Sequence, residues 1–207
     1  MLTKEKMISV HTKVSPRERM KTLHTMYKTM LRTRDEYVDA ILPSSSSMDE
    51  FIFRVRNMSG SNDEFVGGEY LFRLLIPPEF PLKPPDLWFL TPNGVYELNG
   101  PICISTGKFH SQNYVATRGL VGFGTDVWTA MVQYPDLGGG IRIIHNRTPK
   151  NIRKLARQSK KINREKYAMY ISKFDRLPSN IKHRILESHD VIPVPEIKQK
   201  IYKYMGV

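Results

Sequence analysis

Apolar residues near the start of the chain recur at intervals of three and four, which is the period of an amphipathic helix. The residues of this stripe are Met20, Leu23, Met26, Tyr27, Met30 and Leu31. Ser15 and Pro16 precede it, and serine followed by proline is a favoured pair for an N-cap and a first helical position. The pattern predicts a helix over about 16–34, preceded by a flexible arm of residues 1–14.

After this helix the apolar period changes to two, which indicates strands. Four strand-like segments occur, at 37–42, 51–55, 70–74 and 87–90; the second and third alternate, and the fourth is a short apolar run. In the second segment, Phe51, Phe53 and Val55 alternate with more polar positions such as Arg54 and Arg56, which predicts one buried and one wetter face. A meander of antiparallel strands is the simplest topology for this order. The five prolines between Pro77 and Pro85 predict a stiff ordered loop before the fourth strand.

The second half of the chain predicts helices. Residues 109–125 contain three glycines and no clear period, so a helix is predicted only from Val127, ending before Pro135. Thr148 and Pro149 predict the start of a further helix with a basic outer face, helical packing continues to about 174, and short helices are expected at 181–186 and after Pro195. This order indicates an α+β domain with helices against one antiparallel sheet. The core domain is assigned to 15–174 and a C-terminal helical extension to 175–207.

Composition and charge narrow the function classes. The formal net charge is +12, and nine basic residues but only one acidic residue lie between Arg147 and Lys166. This basic run is either a solvated helix face or a docking patch for a polyanion. Because no aromatic residue interleaves with it between Arg147 and Lys161, nucleic-acid binding as the main function is disfavoured.

Since no signal peptide and no apolar run of about 18 residues is seen, we expect a cytoplasmic or nuclear protein without a membrane span.

The chain has a single cysteine, Cys103, which excludes an intramolecular disulfide and a thiolate zinc site. We expect no bound metal, because the six histidines are scattered. Taken alone, Cys103 is either a buried inert residue or a lone reactive nucleophile. The segments that precede it favour the nucleophile.

Several segments resemble the ubiquitin-conjugating enzyme family. These are a glycine pair with an aromatic strand at 67–72, a proline-rich loop at 76–85, Thr91-Pro92-Asn93 in place of that family's His-Pro-Asn, and Gly100, Ile102, Cys103, Ile104 and Ser105 around the cysteine. The resemblance covers about 14–174 and implies that family's fold. The Thr-Pro-Asn-Gly variant, the spacing from Asn93 to Cys103 and the Phe109-His110 pair resemble the subgroup that is tail-anchored in the endoplasmic reticulum. Leu155, Ala156, Ser159 and Asn163 also match that subgroup's late helix.

Two features depart from the subgroup. Its Trp-Asn-Pro-Ala-Trp stretch is replaced by Tyr114-Val115-Ala116-Thr117, and its membrane anchor is not found in the sequence. Because the replaced loop contacts ubiquitin ligases in the family, partner choice is open. The missing anchor leaves two alternatives, a relative without an anchor or an anchor beyond the given sequence.

The resemblance implies a two-step acyl transfer. Cys103 would accept the C-terminal carboxyl of ubiquitin from the activating enzyme as a thioester, which a substrate lysine or a hydroxyl then attacks. Asn93 is the candidate for oxyanion stabilisation or for loop support, and Asn99 is a weaker candidate for the same work. Ser105 and His110 are candidates for positioning the acceptor or acting as a base, with a histidine of no special role as the alternative. No cofactor is expected, because the upstream enzyme consumes the ATP.

The resemblance also implies docking surfaces and partners. Arg17 and Lys21 lie on the predicted first helix, which would meet the activating enzyme, and Leu82 and Lys83 lie in the proline loop, where ligases would bind. The expected partners are ubiquitin, the activating enzyme, ubiquitin ligases and substrate proteins. The alternative function is a catalytically inactive relative that binds ubiquitin or acts as a scaffold.

Overall fold

A computed structural model describes residues 14–33, 36–58, 63–98, 100–102, 108–132 and 143–177 of the chain. All of them belong to one compact unit, Met1–Leu177. The predicted arm, apart from Val14, and the helices predicted at 181–186 and after Pro195 lie outside the described residues. The predicted domain boundaries therefore stay predictions.

Helix α1, Pro16–Thr33, confirms the first predicted helix. Its N-terminus is a reciprocal capping arrangement, in which the Glu18 amide donates to Ser15 Oγ at 3.2 Å and the Glu18 carboxylate accepts from the Ser15 amide at 3.1 Å. The Ser15 hydroxyl also donates to this carboxylate at 2.6 Å. These hydrogen bonds, first that of the Ser15 side chain, lower the pKa of Glu18. Two backbone donors that a helix end leaves without partners are satisfied in this way.

The four predicted strands form one antiparallel sheet in chain order, which confirms the predicted meander. They are β1 (Val38–Ile41), β2 (Glu50–Arg56), β3 (Glu69–Leu75) and β4 (Asp86–Phe89). Phe53 lies opposite Phe72, and Phe72 lies opposite Phe89. The rings of Phe53 and Phe72 stack with their centroids 4.9 Å apart. Cross-strand aromatic pairs of this kind add to the stability of the sheet beyond the area they bury.

One face of the sheet carries the main core, which contains residues of α1 and of helices α2 (Gly119–Val132) and α3 (Pro149–Lys166). Helix α2 begins at Gly119, so the prediction of a helix only from Val127 was wrong. The glycines that hid its first half from the periodicity are used for packing. A Cβ on Gly124 would overlap the Val38 side chain and come within 3.2 Å of the Phe53 ring. Glycine therefore lets the helix approach the sheet closely.

The other face of the sheet is covered by helix α4, Ala168–Asp175. Ile171 and Phe174 of this helix pack with Ile41, Ile52 and Leu71 in a second apolar cluster. Arg54, on the same face, is only 8% exposed. Asp39 Oδ2 accepts from its Nη2 at 2.8 Å, and its guanidinium lies 4.6 Å from the centre of the Phe174 ring. These two contacts compensate the burial of its charge. The predicted wetter face of β2 was therefore wrong.

Among the described residues, no helix is both long enough and apolar enough to cross a bilayer.

Candidate active site

The turn that follows β4 is built around the side chain of Asn93, which is fully buried. Its Oδ1 accepts from the amides of Val95 and Tyr96, at 2.9 and 2.7 Å, and its Nδ2 donates to the Thr91 carbonyl at 3.3 Å. A short amide side chain can substitute in this way for the backbone partners that a turn lacks. Asn93 therefore holds the turn through its own side chain. Oxyanion stabilisation by the same residue stays a prediction.

Gly94 lets this turn lie directly against α3. Its φ of +83° is in the left-handed region, where residues with a side chain are strained. A Cβ there would also meet Ile152 Cγ1 at 3.1 Å and Leu155 Cδ1 at 3.3 Å. Both the backbone angle and the close approach therefore require glycine after Asn93.

Buried polar side chains connect the turn to α3 and to β3. Thr91 Oγ1 donates to Asn163 Oδ1 at 2.6 Å and accepts from the Leu71 amide at 2.8 Å. Asn163 Nδ2 in turn donates to the Glu69 carbonyl at 3.0 Å and to Glu69 Oε1 at 3.1 Å. Ser159 Oγ accepts from the Glu69 amide at 2.9 Å. The result is a network in which α3 fixes both the start of β3 and the Thr91 turn.

The roles of Thr91 and Asn163 were not predicted from the sequence, although one signal was present. Ile152, Ala156, Ser159 and Asn163 follow each other at helical spacing and form the buried stripe of α3. Two polar residues on an otherwise apolar stripe indicate partners inside the protein, because unpaired polar groups are costly to bury. The sequence could not name those partners, since Thr91 is 72 residues away from Asn163.

Cys103, Asn99 and Ser105 lie outside the described residues, so their predicted roles rest on the sequence. The chain just before the cysteine is well anchored, because Ile102 is buried and its amide donates to the Leu87 carbonyl at 2.8 Å. His110 is half-buried in the short 3-10 helix Lys108–Asn113, where its φ and ψ of −131° and 48° mark a kink.

The predicted docking residues are exposed. Leu82, at the tip of the proline loop, is 57% exposed, and Arg17 and Lys21 lie on the outer side of α1. Lys83 Nζ pairs with Glu79 Oε1 at 2.8 Å. Surface pairs of this kind contribute little to stability, so Lys83 stays available for contacts.

Arg19 joins the first helix to the proline loop. Its guanidinium donates to the carbonyls of Pro77 and Ile76, both at 3.1 Å, and pairs with Asp49 Oδ1 at 2.6 Å. Hydrogen bonds from the Ser47 hydroxyl and then from Arg19 lower the pKa of Asp49. The two predicted docking segments are thus linked by one side chain. Among the described residues, no group of three or more His, Cys, Asp or Glu side chains could hold a metal ion.

Comparison with known proteins identifies a class of relatives. No family model matches the chain, but the curated proteins to which it is similar are ubiquitin-conjugating enzymes. Ubiquitin-conjugating enzyme E2 32 of Arabidopsis thaliana is 37% identical over 73 residues, which are 35% of this chain and 23% of that protein. Human ubiquitin-conjugating enzyme E2 J1 is 32% identical over 124 residues, 56% of this chain and 35% of that protein. E2 34 of Arabidopsis thaliana is 30% identical over 95 residues, 46% of this chain and 39% of that protein.

The matched segments therefore cover well under half of the length of each of these relatives. Among solved structures, human ubiquitin-conjugating enzyme E2 G1 aligns with a TM-score of 0.49 and 19% identity, covering 59% of this chain and 99% of that one.

Proposed function

We propose that this protein is a ubiquitin-conjugating enzyme, which carries ubiquitin as a thioester on Cys103 and transfers it to a substrate lysine or hydroxyl. The observation that carries the proposal is the similarity to curated ubiquitin-conjugating enzymes, at 30–37% identity in the three segments above. The sequence around Cys103 and the turn held by Asn93 support it. Ubiquitin, the activating enzyme, ubiquitin ligases and substrate proteins are the proposed partners.

The first step moves the acyl group onto Cys103. The thiolate attacks the carbonyl carbon of ubiquitin's thioester on the activating enzyme, and a new C–S bond forms as the old one breaks. The activating enzyme's thiolate leaves and takes up a proton. No cofactor of the chain's own is needed, because the bond that is broken is already activated and ATP is used upstream.

The second step moves the acyl group to the acceptor. An amine attacks the Cys103 thioester, a C–N bond replaces the C–S bond, and Cys103 leaves as a thiolate. His110 is the proposed base for the proton that the amine loses, and Ser105 is proposed to position the acceptor. Asn93 and, more weakly, Asn99 are proposed to stabilise the oxyanion.

Substitution of Asn93 separates its two proposed tasks. Asn93→Asp keeps the oxygen that accepts from Val95 and Tyr96 but loses the amide donor and its bond to the Thr91 carbonyl, so the stability of the variant is measured beside its transfer rate. If the N–H stabilises the oxyanion, transfer should slow by about 10²–10³-fold in a protein that still folds. If the Asn93→Asp variant transfers ubiquitin at the parent's rate, Asn93 serves only to hold the turn.

We also propose that the chain is closest to the tail-anchored subgroup of the endoplasmic reticulum, with its own activity in the cytoplasm or the nucleus. The Thr-Pro-Asn-Gly segment and the Ser159 and Asn163 pattern support the subgroup. Arg17 and Lys21 are proposed to meet the activating enzyme, and Leu82 and Lys83 the ligase. The exposure of these side chains supports this assignment.

A charging assay tests the main proposal. The protein is mixed with activating enzyme, ubiquitin and ATP, and is run on gels with and without reductant. A band one ubiquitin heavier that reductant removes, and that Cys103→Ala lacks, is the expected result. Cys103→Ser should give a heavier band that survives reductant, because an oxygen ester replaces the thioester. No band from folded protein, beside a control enzyme that charges, would overturn the proposal.

A further inference from the structure

The positive charge of this protein is concentrated in one helix. Residues 147–166 contain nine basic residues and one acidic residue, Glu165, and so carry a formal charge of +8. Since the whole chain carries +12, the other 187 residues together carry only +4. The charge is therefore a local property of α3 and the turn that leads into it.

The cations of α3 point away from the core. The buried stripe of the helix packs inward, while the basic side chains are exposed; these are Lys150, Arg153, Lys154, Arg157, Lys160, Lys161, Arg164 and Lys166. Within the described part of the chain, their ion pairs are Arg153 with Glu64 at 3.2 Å and Lys161 with Glu165 at 3.8 Å. Neutralisation by the protein's own carboxylates is therefore slight.

A helix face of one sign costs stability. Lys150 and Lys154, Arg153 and Arg157, and Lys160 and Arg164 are like-charged pairs four residues apart, and such pairs destabilise a helix. A face that serves only solubility mixes both signs, which avoids this repulsion. The pattern is typical of a surface that an anionic partner neutralises.

The chemistry of the face favours a lipid surface over single-stranded nucleic acid and over a protein that binds through an apolar anchor. No aromatic residue lies between Arg147 and Lys166, so the face lacks the rings on which unpaired bases stack. Helix α3 itself also lacks an exposed large apolar side chain to anchor a protein partner; the exposed Met169 belongs to α4, three residues after its end. A planar anionic membrane needs neither, because clusters of four to eight Lys and Arg on an amphipathic helix bind it by charge.

The surface next to the C-terminal end of α3 is also compatible with a lipid membrane. Met169 is 62% exposed and lines a surface depression with Lys166, the two tyrosines Tyr167 and Tyr170, and Glu50. An apolar side chain beside a cation such as Lys166 can enter the membrane interface while the cation meets the headgroups. The apolar stripe of α3 itself stays in the core, so binding would be reversible and sensitive to salt.

We propose that the exposed basic face of α3 is a docking surface for an anionic membrane. It holds the folded domain at the lipid surface through the headgroup charges. The binding is independent of ubiquitin transfer, so it can be tested whether or not the chain charges with ubiquitin.

Co-sedimentation of the full chain with vesicles tests the proposal. Vesicles of about 30% phosphatidylserine in phosphatidylcholine should retain the protein, whereas pure phosphatidylcholine vesicles or about 0.5 M salt should not. The variant Lys154→Glu, Arg157→Glu and Lys160→Glu should weaken binding at least ~100-fold, because each lost cation costs about fivefold. Circular dichroism shows whether this variant keeps its helices.

A matched variant controls for net charge. Arg17→Glu, Lys21→Glu and Lys28→Glu change the same number of charges on exposed positions of α1, and should leave vesicle binding within about threefold of the parent. Equal losses in the two variants, or no binding of the parent to anionic vesicles, would overturn the proposal. Salt-sensitive retention on RNA, DNA or an acidic polypeptide without vesicle binding would assign the face to that partner instead.

Discussion

Replacing Thr91 with valine tests whether the buried network between the turn and α3 stabilises the fold. Valine has nearly the shape of threonine, so the substitution removes the hydroxyl without opening a cavity. The Leu71 amide then loses its acceptor at 2.8 Å, and Asn163 Oδ1 loses its donor at 2.6 Å. Because Thr91 and Asn163 are fully buried, water cannot replace either bond.

The expected cost follows from these two bonds. A buried amide left without a partner costs about 1–3 kcal/mol, and the lost side-chain bond contributes about 1 kcal/mol more. Thr91→Val should therefore lower the free energy of unfolding by about 2–4 kcal/mol. For a domain of this size that corresponds to a fall in Tm of roughly 5–15 °C.

Urea and thermal unfolding of the full chain measure this cost. Thr91→Ser keeps both bonds and should lose only about 1 kcal/mol for its missing methyl group. Thr25→Val, at an exposed threonine whose hydroxyl donates to the Lys21 carbonyl, should stay within about 0.5 kcal/mol of the parent. If Thr91→Val unfolds within about 0.5 kcal/mol of the parent, the network does not stabilise the domain.

Three further substitutions give distinct outcomes. The hydroxyl of Tyr70 is buried with no hydrogen-bond partner among the described residues, so Tyr70→Phe should match or exceed the parent's stability by about 1–2 kcal/mol. Burial also raises the pKa of Tyr70. Since the unfolded phenol ionises near pH 10 and the folded one does not, the parent loses stability as the pH rises above about 10. Tyr70→Phe should lose less stability in that range. His110→Ala should slow discharge of the charged enzyme by about 10²-fold or more without slowing charging. The control His145→Ala, at an exposed position, should change neither rate. Equal discharge by His110→Ala and the parent would show that His110 is not the base. Leu82→Ala should reduce ligase-stimulated discharge several-fold, by the loss of about 1–2 kcal/mol of binding, and leave unstimulated discharge unchanged. Val66→Ala, at another exposed apolar residue, is its control, and normal stimulation of Leu82→Ala would contradict the assignment.

The first helix and the sheet were predictable because local signals determine them. The Ser15-Pro16 start and the spacing of Leu23 and Met30 are read within a few residues, and the structure confirms a helix over Pro16–Thr33. The strands alternate in the same local way. The antiparallel order followed because consecutive strands pair most simply as neighbours.

The start of α2 could not be predicted from local preferences. Glycine weakens an isolated helix, so Gly119, Gly122 and Gly124 favoured a loop. In the folded protein Gly124 faces Val38 and Phe53 of the sheet, where a side chain would not fit. Tertiary packing therefore determines where this helix begins. Its packing partners Val38 and Phe53 are far from Gly124 in sequence, so local preferences do not reveal them.

The buried face of β2 was missed for a related reason. Arg54 indicates solvent when it is considered alone, but Asp39 compensates its charge and Phe174 covers its guanidinium. The site shows the same limit. Asn93 was predicted from its resemblance to a known segment, whereas its anchor through Thr91 to Asn163 depends on contacts across 72 residues.

The cover that α4 places on the sheet sets a practical limit on how far the domain can be shortened. A fragment that ended at Lys166, the last residue of α3, would lack Ile171 and Phe174 and uncover Ile41, Ile52 and Leu71 on the sheet. A bare apolar patch next to Arg54 would promote self-association during expression. Fragments for crystallisation or isotope labelling should therefore extend at least to Leu177, which packs against this cluster.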